Sequence, residues 1–229
     1  MRNRRLRGVA IVEFSFVLLV LIPLLLGTAE IGVNMVRSLQ TVQLGRDAGH
    51  MYARGVDFSQ DGNKTILTTI GASVGLNTTA ASSNAVVILS SVTYVDNAIC
   101  LSDGLVDDIN GNPIGCTNWK KWVFTQRLVL GQPSIHASNF GSPVVGGSTG
   151  VTINATTGAI SLDDQCKKSG DVATFSGVNP YSSVINADGS TTVTGLPSGQ
   201  VIYIAEAAAR GFSMNPYDTN AVHYSFNMF

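Results

Sequence analysis

Charge is the scarcest property of this 229-residue sequence: Asp, Glu, Lys and Arg make up 13% of it, about half the share of an average soluble domain. With 45% hydrophobic residues, the composition excludes an intrinsically disordered chain, which needs few apolar groups and much charge. The many Ser, Thr, Asn and Gly residues point to a β-rich surface outside the cytoplasm rather than to a cytosolic enzyme. Basic residues are scarcer still in the body of the chain. Four of the 14 are Arg2, Arg4, Arg5 and Arg7; without them ten face 15 acidic residues, a balance of −5. That balance gives no electrostatic reason to hold a phosphate backbone, so nucleic acid is not an expected partner.

Sites for chemistry are equally sparse. Three cysteines are too few for a disulfide-built scaffold and show no C-x-x-C spacing for zinc. His50, His136 and His223 are far apart and lack ligand spacing. The stretch Gly146-Gly147-Ser148-Thr149-Gly150 fits G-x-S-x-G formally, but a nucleophile elbow needs a strand before it and a helix after it. Both flanks read as Gly/Ser/Thr loop. Neither catalysis nor a cofactor is expected.

What the sequence has in abundance is one apolar run. After Arg7 and Gly8, residues 9–36 are interrupted only by Glu13, Ser15, Thr28, Glu30 and Asn34 among polar residues. As an α-helix, residues 9–29 rise roughly 30 Å, the hydrocarbon thickness of a bilayer. Cationic residues before the run predict a cytoplasmic N-terminus and an exported remainder.

Glu13 is the informative interruption. A carboxylate inside a span costs several kcal/mol unless it finds a partner; the plainer account is that it snorkels to the headgroups. A cut after Gly8 would make Val9 the new N-terminus, and its freed amine would offer the Glu13 of a neighbouring subunit the opposite charge. Glycine at the cut lets the backbone lie extended in a protease cleft. A rival processing site exists: Gly27-Thr28-Ala29 suits a secretory signal peptidase cutting before Glu30. Against it, a helical pattern continues straight through that point.

The order of basic residues, Gly8, four apolar residues and Glu13-Phe14, followed by Pro23, Glu30-Ile31-Gly32, Arg46 and Arg54-Gly55, resembles the TadE-like proteins. These are minor pilins or pseudopilins of tight-adherence, Flp-type pilus systems. The resemblance covers about the first 55 residues, with fainter echoes at Phe124-Thr125-Gln126-Arg127, at Leu196-Pro197-Ser198-Gly199 and at Tyr203 and Glu206. It implies cleavage by a prepilin peptidase between Gly8 and Val9 and storage of the helix in a bacterial inner membrane. It further implies assembly with other pilin or pseudopilin subunits and inner-membrane assembly proteins, with Glu13, Phe14, Pro23, Glu30 and Gly32 as the assembly residues. The competing expectation is a single-pass anchored binding module, uncut at Gly8 and never assembled.

Three segments follow: a leader, 1–8; a helix, 9–55; and a head, 56–229. Pro23 lacks an amide hydrogen and should kink the span or leave a carbonyl unpaired. Beyond residue 36, Met35, Leu39, Val42, Met51 and Tyr52 stand against Arg37, Gln40, Gln43, Arg46, Asp47 and Arg54. That helical spacing predicts that the outer half packs on the head, with Gly55 as the C-cap. Gly27 and Gly32 are five apart; Gly45 and Gly49 have the four-residue spacing of a close helix contact but lie in a polar stretch.

The head reads as antiparallel β, giving an α+β class overall. Residues 56–64 read as a loop and 65–76 as a short helix. Strands are expected at 85–95, 119–130, 201–209 and 224–229, with a short edge at 150–153. A hairpin is expected across Asn186-Ala187-Asp188-Gly189, where Asp-Gly suits positive φ. Trp119, Trp122 and Phe124 could form an exposed adhesive strip, although core or cross-strand roles are commoner. Three cysteines allow three single pairings. The favoured pair, Cys100 with Cys116, closes a loop whose Asp103, Asp107, Asp108, Asn110 and Asn112 are weak candidates for a hard cation. The loop lacks the distal Glu of an EF-hand.

Overall fold

The computed structural model describes residues 4–175, 182–194, 198–213 and 221–229. Its first element, α1 (Arg4–Ala53), is a single 50-residue helix containing Pro23. Good helix formers outweigh the penalty of a lone glycine, so the backbone is helical through Gly8 and Val9 rather than extended. The far end closes on a left-handed Gly55, φ +80°. Gly55 N donates to Tyr52 O at 2.9 Å and Val56 N to Met51 O at 3.0 Å, the paired bonds of a Schellman cap.

Helix α2 (Asp61–Ile70) follows and runs into a 3₁₀ turn at Gly71–Val74. It therefore begins inside the stretch read as a loop. Asp61 at its first turn complements the helix dipole, and Leu67 supplies the one buried face.

Four antiparallel strands form the sheet: β1 (Ala85–Tyr94), β2 (Trp122–Gly131), β5 (Val201–Arg210) and β6 (Val222–Met228), in the order β2-β1-β5-β6. A separate hairpin joins β3 (Ser182–Ile185) to β4 (Thr191–Thr194). Its turn places Gly189 at φ +80°. β1 is central and covered on both faces, which is why its sequence is apolar almost throughout. Ala85, Val87 and Leu89 share a core with Leu44, Ala48 and Tyr52 of α1 and with Ala205 and Ala207 of β5. On the other face, Val92 joins Trp122, Phe124, Phe140, Ile202 and Ile204. Class and layout are thus α+β: a long apolar N-terminal helix followed by an antiparallel sheet. The head and helix share one core, with residues 44–52 belonging to both.

Several local expectations give way to tertiary effects. β2 starts at Trp122 because the chain turns at Trp119 and Lys120, the latter with φ 59°. Trp122 and Phe124 are buried, which removes the exposed aromatic strip. The expected edge at 150–153 makes only isolated bridges, Val145 with Val151 and Ile153 with Ile160. Two short helices, α3 (Asn97–Ser102) and α4 (Leu162–Lys167), form in segments too short to show a helical period. Each is capped by a side-chain oxygen: Asp96 accepts from Ile99 N, and Ser161 from Asp164 N.

Candidate functional site

Among the described residues, the inner part of α1 is exposed almost throughout. Ile11, Val12, Phe14, Phe16, Val17 and the Leu, Val and Ile residues at 19–22 and 24–26 are all exposed. The helix is long and apolar enough to cross a membrane. Glu13 sits exposed on it and makes no ion pair among the described residues. Pro23 lies within the helix, which continues on both sides of it. A Cβ on Gly27 or Gly32 would meet nothing within 4 Å. The structure does not bring Glu13, Glu30 and Gly32 together: Glu13 and Glu30 are roughly 25 Å apart along the axis. Glu30 instead borders a shallow groove with Ile31, Asn34, Met35, Ser38 and His223.

The head is seated on a polar face of α1. Asn34 Nδ2 donates to Phe212 O at 2.7 Å, and Phe212 N returns a bond to Asn34 Oδ1 at 2.8 Å. Arg37 Nη1 donates to Arg210 O at 3.0 Å, and Ser225 Oγ donates to Thr41 O at 3.2 Å. Farther along, Thr41, Leu44, Gly45, Ala48, Gly49 and Tyr52 are buried. A Cβ on Gly45 would lie 2.8 Å from Ser225 Oγ and 3.3 Å from Ala207 Cβ. One on Gly49 would lie 3.1 Å from Ala205 Cβ and overlap the Phe229 ring. The four-residue glycine spacing thus serves a helix-on-sheet contact, made possible by the alanine run of β5.

This corrects part of the face expected to pack: Tyr52 is buried in the shared core with Met51 against it, as expected, but the earlier residues of that face are not. Met35 and Leu39 are 65% and 66% exposed, and Ile31, Val36 and Val42 are exposed as well. Gly45 and Gly49 meet the alanines of β5 where a Cβ would crowd them, Leu44 and Tyr52 fill the shared core beside them, and the large apolar residues Ile31, Met35, Leu39 and Val42 are left outside. Ile31, Met35, Leu39 and Val42 recur at helical spacing along one stripe. Glu13 lies about five turns before Ile31 on the same line. The exposed apolar length, from Ile11 to Val42, is about 48 Å at 1.5 Å per residue, against roughly 30 Å of bilayer hydrocarbon. A membrane alone leaves about 18 Å of the stripe uncovered.

Inside the head lies a polar network that no local pattern announces. Glu206 and Arg127 are both buried. Glu206 accepts from Ser138 Oγ, from Asn139 N at 3.0 Å and from Tyr224 OH at 2.8 Å. Arg127 donates to Ser90 Oγ at 2.6 Å, to Ser142 Oγ at 3.1 Å and to Ser138 Oγ at 3.3 Å. Burial lowers the Arg127 pKa, with Glu206 opposing the shift. Burial, reinforced by the Glu206 charge, raises that of Tyr224. The ring of His136 lies 4.2 Å from that of Tyr224, tilted by 33°, and its pKa falls through burial, with Glu206 opposing. With Ser138 Oγ directed at Glu206, no hydroxyl–imidazole relay is set up. In the sequence Arg127 and Glu206 stand out only as faint echoes of the TadE-like pattern, 79 positions apart, with no sign that they share a site.

The remaining candidates fall elsewhere. Cys100 and Cys116 form a disulfide, and Cys166 is buried and free. The acidic loop they close is already supplied with donors. Asp108 accepts from Asn110 N and Asn112 N, both at 2.8 Å; Asp107 accepts from Asn97 Nδ2 at 3.2 Å; Asp103 pairs with Lys167 at 3.0 Å. These bonds tie Asp103, Asp107 and Asp108 into the fold, and those to Asp108 also hold Asn110 and Asn112. Ser148 lies between isolated bridges, with no strand-to-helix elbow. His50 packs on Phe229 at 4.7 Å and His223 contacts Asn34 at 3.2 Å, so the histidines serve three separate places. The echo at Leu196 and Pro197 lies outside the described residues.

Fold and site together define an α+β protein with a candidate membrane-spanning N-terminal helix. No protein-family model, curated protein or solved structure matches the chain.

Proposed function

We propose that this chain is a structural and assembly subunit, a TadE-like minor pilin or pseudopilin of a tight-adherence pilus machine. Its helix is held in a bacterial inner membrane, cut between Gly8 and Val9 by a prepilin peptidase, and packed against like helices. The observation that carries this reading is the apolar face of α1, exposed from Ile11 to Val42 and longer than a bilayer can cover. An anchor needs only the span; a helix that packs on other helices outside the membrane needs the extra turns. Glu13, in line with that face, is placed for the freed amine of a neighbour and would penalise a subunit added out of register.

The helical backbone through Gly8 favours the second reading, a single-pass anchored binding module that stays uncut. Mass spectrometry of the chain from its native host separates the readings. A start at Val9 supports the pilin, a start at Met1 the plain anchor, and a start at Glu30 a secreted head. Gly8→Ile should block processing by a coexpressed prepilin peptidase; unchanged processing of that variant sinks the proposal.

A further inference from the structure

The four-stranded sheet has one edge covered and one open. Along β2, Arg127 N donates to Gly158 O at 2.8 Å, Ile160 N to Thr125 O at 3.0 Å and Ala173 N to Trp122 O at 2.9 Å, so loops close that side. β6 ends the sheet on the other side. Tyr203 and Phe229 exchange both backbone bonds, at 3.0 and 2.9 Å, and Gly211 N donates to Ala221 O. Bonded positions alternate along an antiparallel pair, so His223, Ser225, Asn227 and Phe229 direct their backbone groups at β5. Tyr224, Phe226 and Met228 therefore turn their N–H and C=O groups outward. No backbone bond or bridge from another described segment reaches them. Natural sheet edges are commonly blunted by charged residues or proline, and Val222–Met228 contains no Lys, Arg, Asp, Glu or Pro.

Apolar surface borders this edge on both faces of the sheet. β6 runs along α1 in the same direction: His223 contacts Asn34, Ser225 bonds Thr41, and the Phe229 ring lies against Gly49. Ile31 and Met35 share a shallow groove with His223, and Val42 continues their line about two turns farther on. All three are exposed. On the opposite face Val222 and Phe226 are each 39% exposed. The helix from Ile31 to Val42 is about 16 Å long and the strand about 20 Å, so the two border one trough. It lies beyond residue 29, outside the span of bilayer length.

We propose that this trough receives an added strand from a partner protein, hydrogen-bonded to the outer edge of β6. Only an extended backbone matches the row of alternating N–H and C=O groups and covers the apolar overhang at the same time; strand addition is a recurrent mode of peptide capture. Every pairing in this sheet is antiparallel, and antiparallel pairing is slightly the more stable, so the added strand runs towards the membrane. Its C-terminal end then reaches Glu30, which makes no ion pair among the described residues and selects a lysine or arginine there. Its helix-facing side chains are apolar, to lie on Ile31, Met35 and Val42. A second copy in the same bilayer fits poorly, because its own β6 would run parallel. Leu39 is turned farther from the sheet and stays free for neighbouring helices. The strand site requires neither cleavage after Gly8 nor assembly into a filament, so it stands whether or not the chain is a pilin.

The test uses the full-length chain in detergent and amide exchange read by NMR. The probe is a synthetic, C-terminally amidated heptapeptide of alternating valine and threonine that ends in lysine. Without it, the amides of His223, Ser225 and Asn227 should be protected and those of Tyr224, Phe226 and Met228 should exchange freely. Saturating peptide should slow exchange at those three by about tenfold or more. Glu30→Lys should weaken binding about fivefold, and the same peptide ending in glutamate should recover it. Met35→Asp should leave the head folded, since Met35 is exposed, and should abolish the added protection. No added protection at millimolar peptide overturns the proposal. So does protection that Met35→Asp leaves intact, or that rises with protein concentration in the absence of peptide, which would assign the edge to a second copy.

Discussion

Arg127 on β2 and Glu206 on β5 flank the central strand β1 and are joined across it through the Ser138 hydroxyl, which donates to Glu206 and accepts from Arg127. Both charges are buried, so each depends on the other and on the hydroxyls around them. Removing one partner of such a pair typically costs about 3–5 kcal/mol, whereas replacing both with apolar groups can be neutral. Glu206→Ala should therefore lower unfolding free energy by about 3 kcal/mol. Arg127→Met combined with Glu206→Leu should recover much of it. Denaturant titration of the single and double variants checks this.

The helix seat depends on small residues. Gly45→Leu with Gly49→Leu would drive side chains into Ser225, Ala207, Ala205 and Phe229. A loss of about 1–3 kcal/mol is expected, whereas Gly27→Ala, with open space around it, should leave head stability unchanged. Thermal melts of the three chains decide.

The Cys100–Cys116 disulfide spans 16 residues. By the loop-entropy relation it stabilises the head by about 3 kcal/mol. Reduction, or Cys100→Ser with Cys116→Ser, should lower the melting temperature by that equivalent. An unchanged melt would show the loop to be ordered without it.

The Tyr52 phenol is buried and donates to Gln126 Oε1 at 2.7 Å. Burial raises its pKa from 10 to about 12. In the unfolded chain the phenol ionises near pH 10, so above that value the unfolded state holds fewer protons and gains relative to the folded one. Stability present below pH 10 is lost progressively up to about pH 12, by roughly 2 to 3 kcal/mol. Tyr52→Phe should flatten that part of the alkaline profile, measured by denaturant midpoint against pH.

On the proposed packing role, Leu39→Asp places a charge on the exposed stripe. It should leave the head's melting temperature within about 1 °C, because such surface changes are usually small. It should also abolish co-purification with partner pilin subunits. Full co-purification would mean that the stripe is not the contact.

Much of the architecture could be read from the chain, because it depends on local order. An apolar run of bilayer length forms a helix whatever it meets, and Gly55 ends it because its position needs positive φ. The β-branched and alternating residues of β1, β5 and β6, and the Asp188-Gly189 turn, likewise carry their conformation with them. The helix face that packs could be read only in part. Hydropathy favoured Met35, Leu39, Val42, Met51 and Tyr52; Met51 and Tyr52 do join the core, but the sheet closes on Gly45 and Gly49, against Ala207 and Ala205, and leaves Met35, Leu39 and Val42 exposed. Asn34 looked like an interruption in an apolar run and proved to be the clamp on Phe212.

Length, order and hydropathy thus determined by themselves that a long apolar helix precedes a β-rich head, since those properties act between neighbours along the chain. Only the tertiary structure decided which helix face is free, that Arg127 and Glu206 share a hydroxyl, and that Asn34 meets Phe212. Each of those depends on residues brought together from distant parts of the sequence, where burial rather than spacing sets the energy of a polar group.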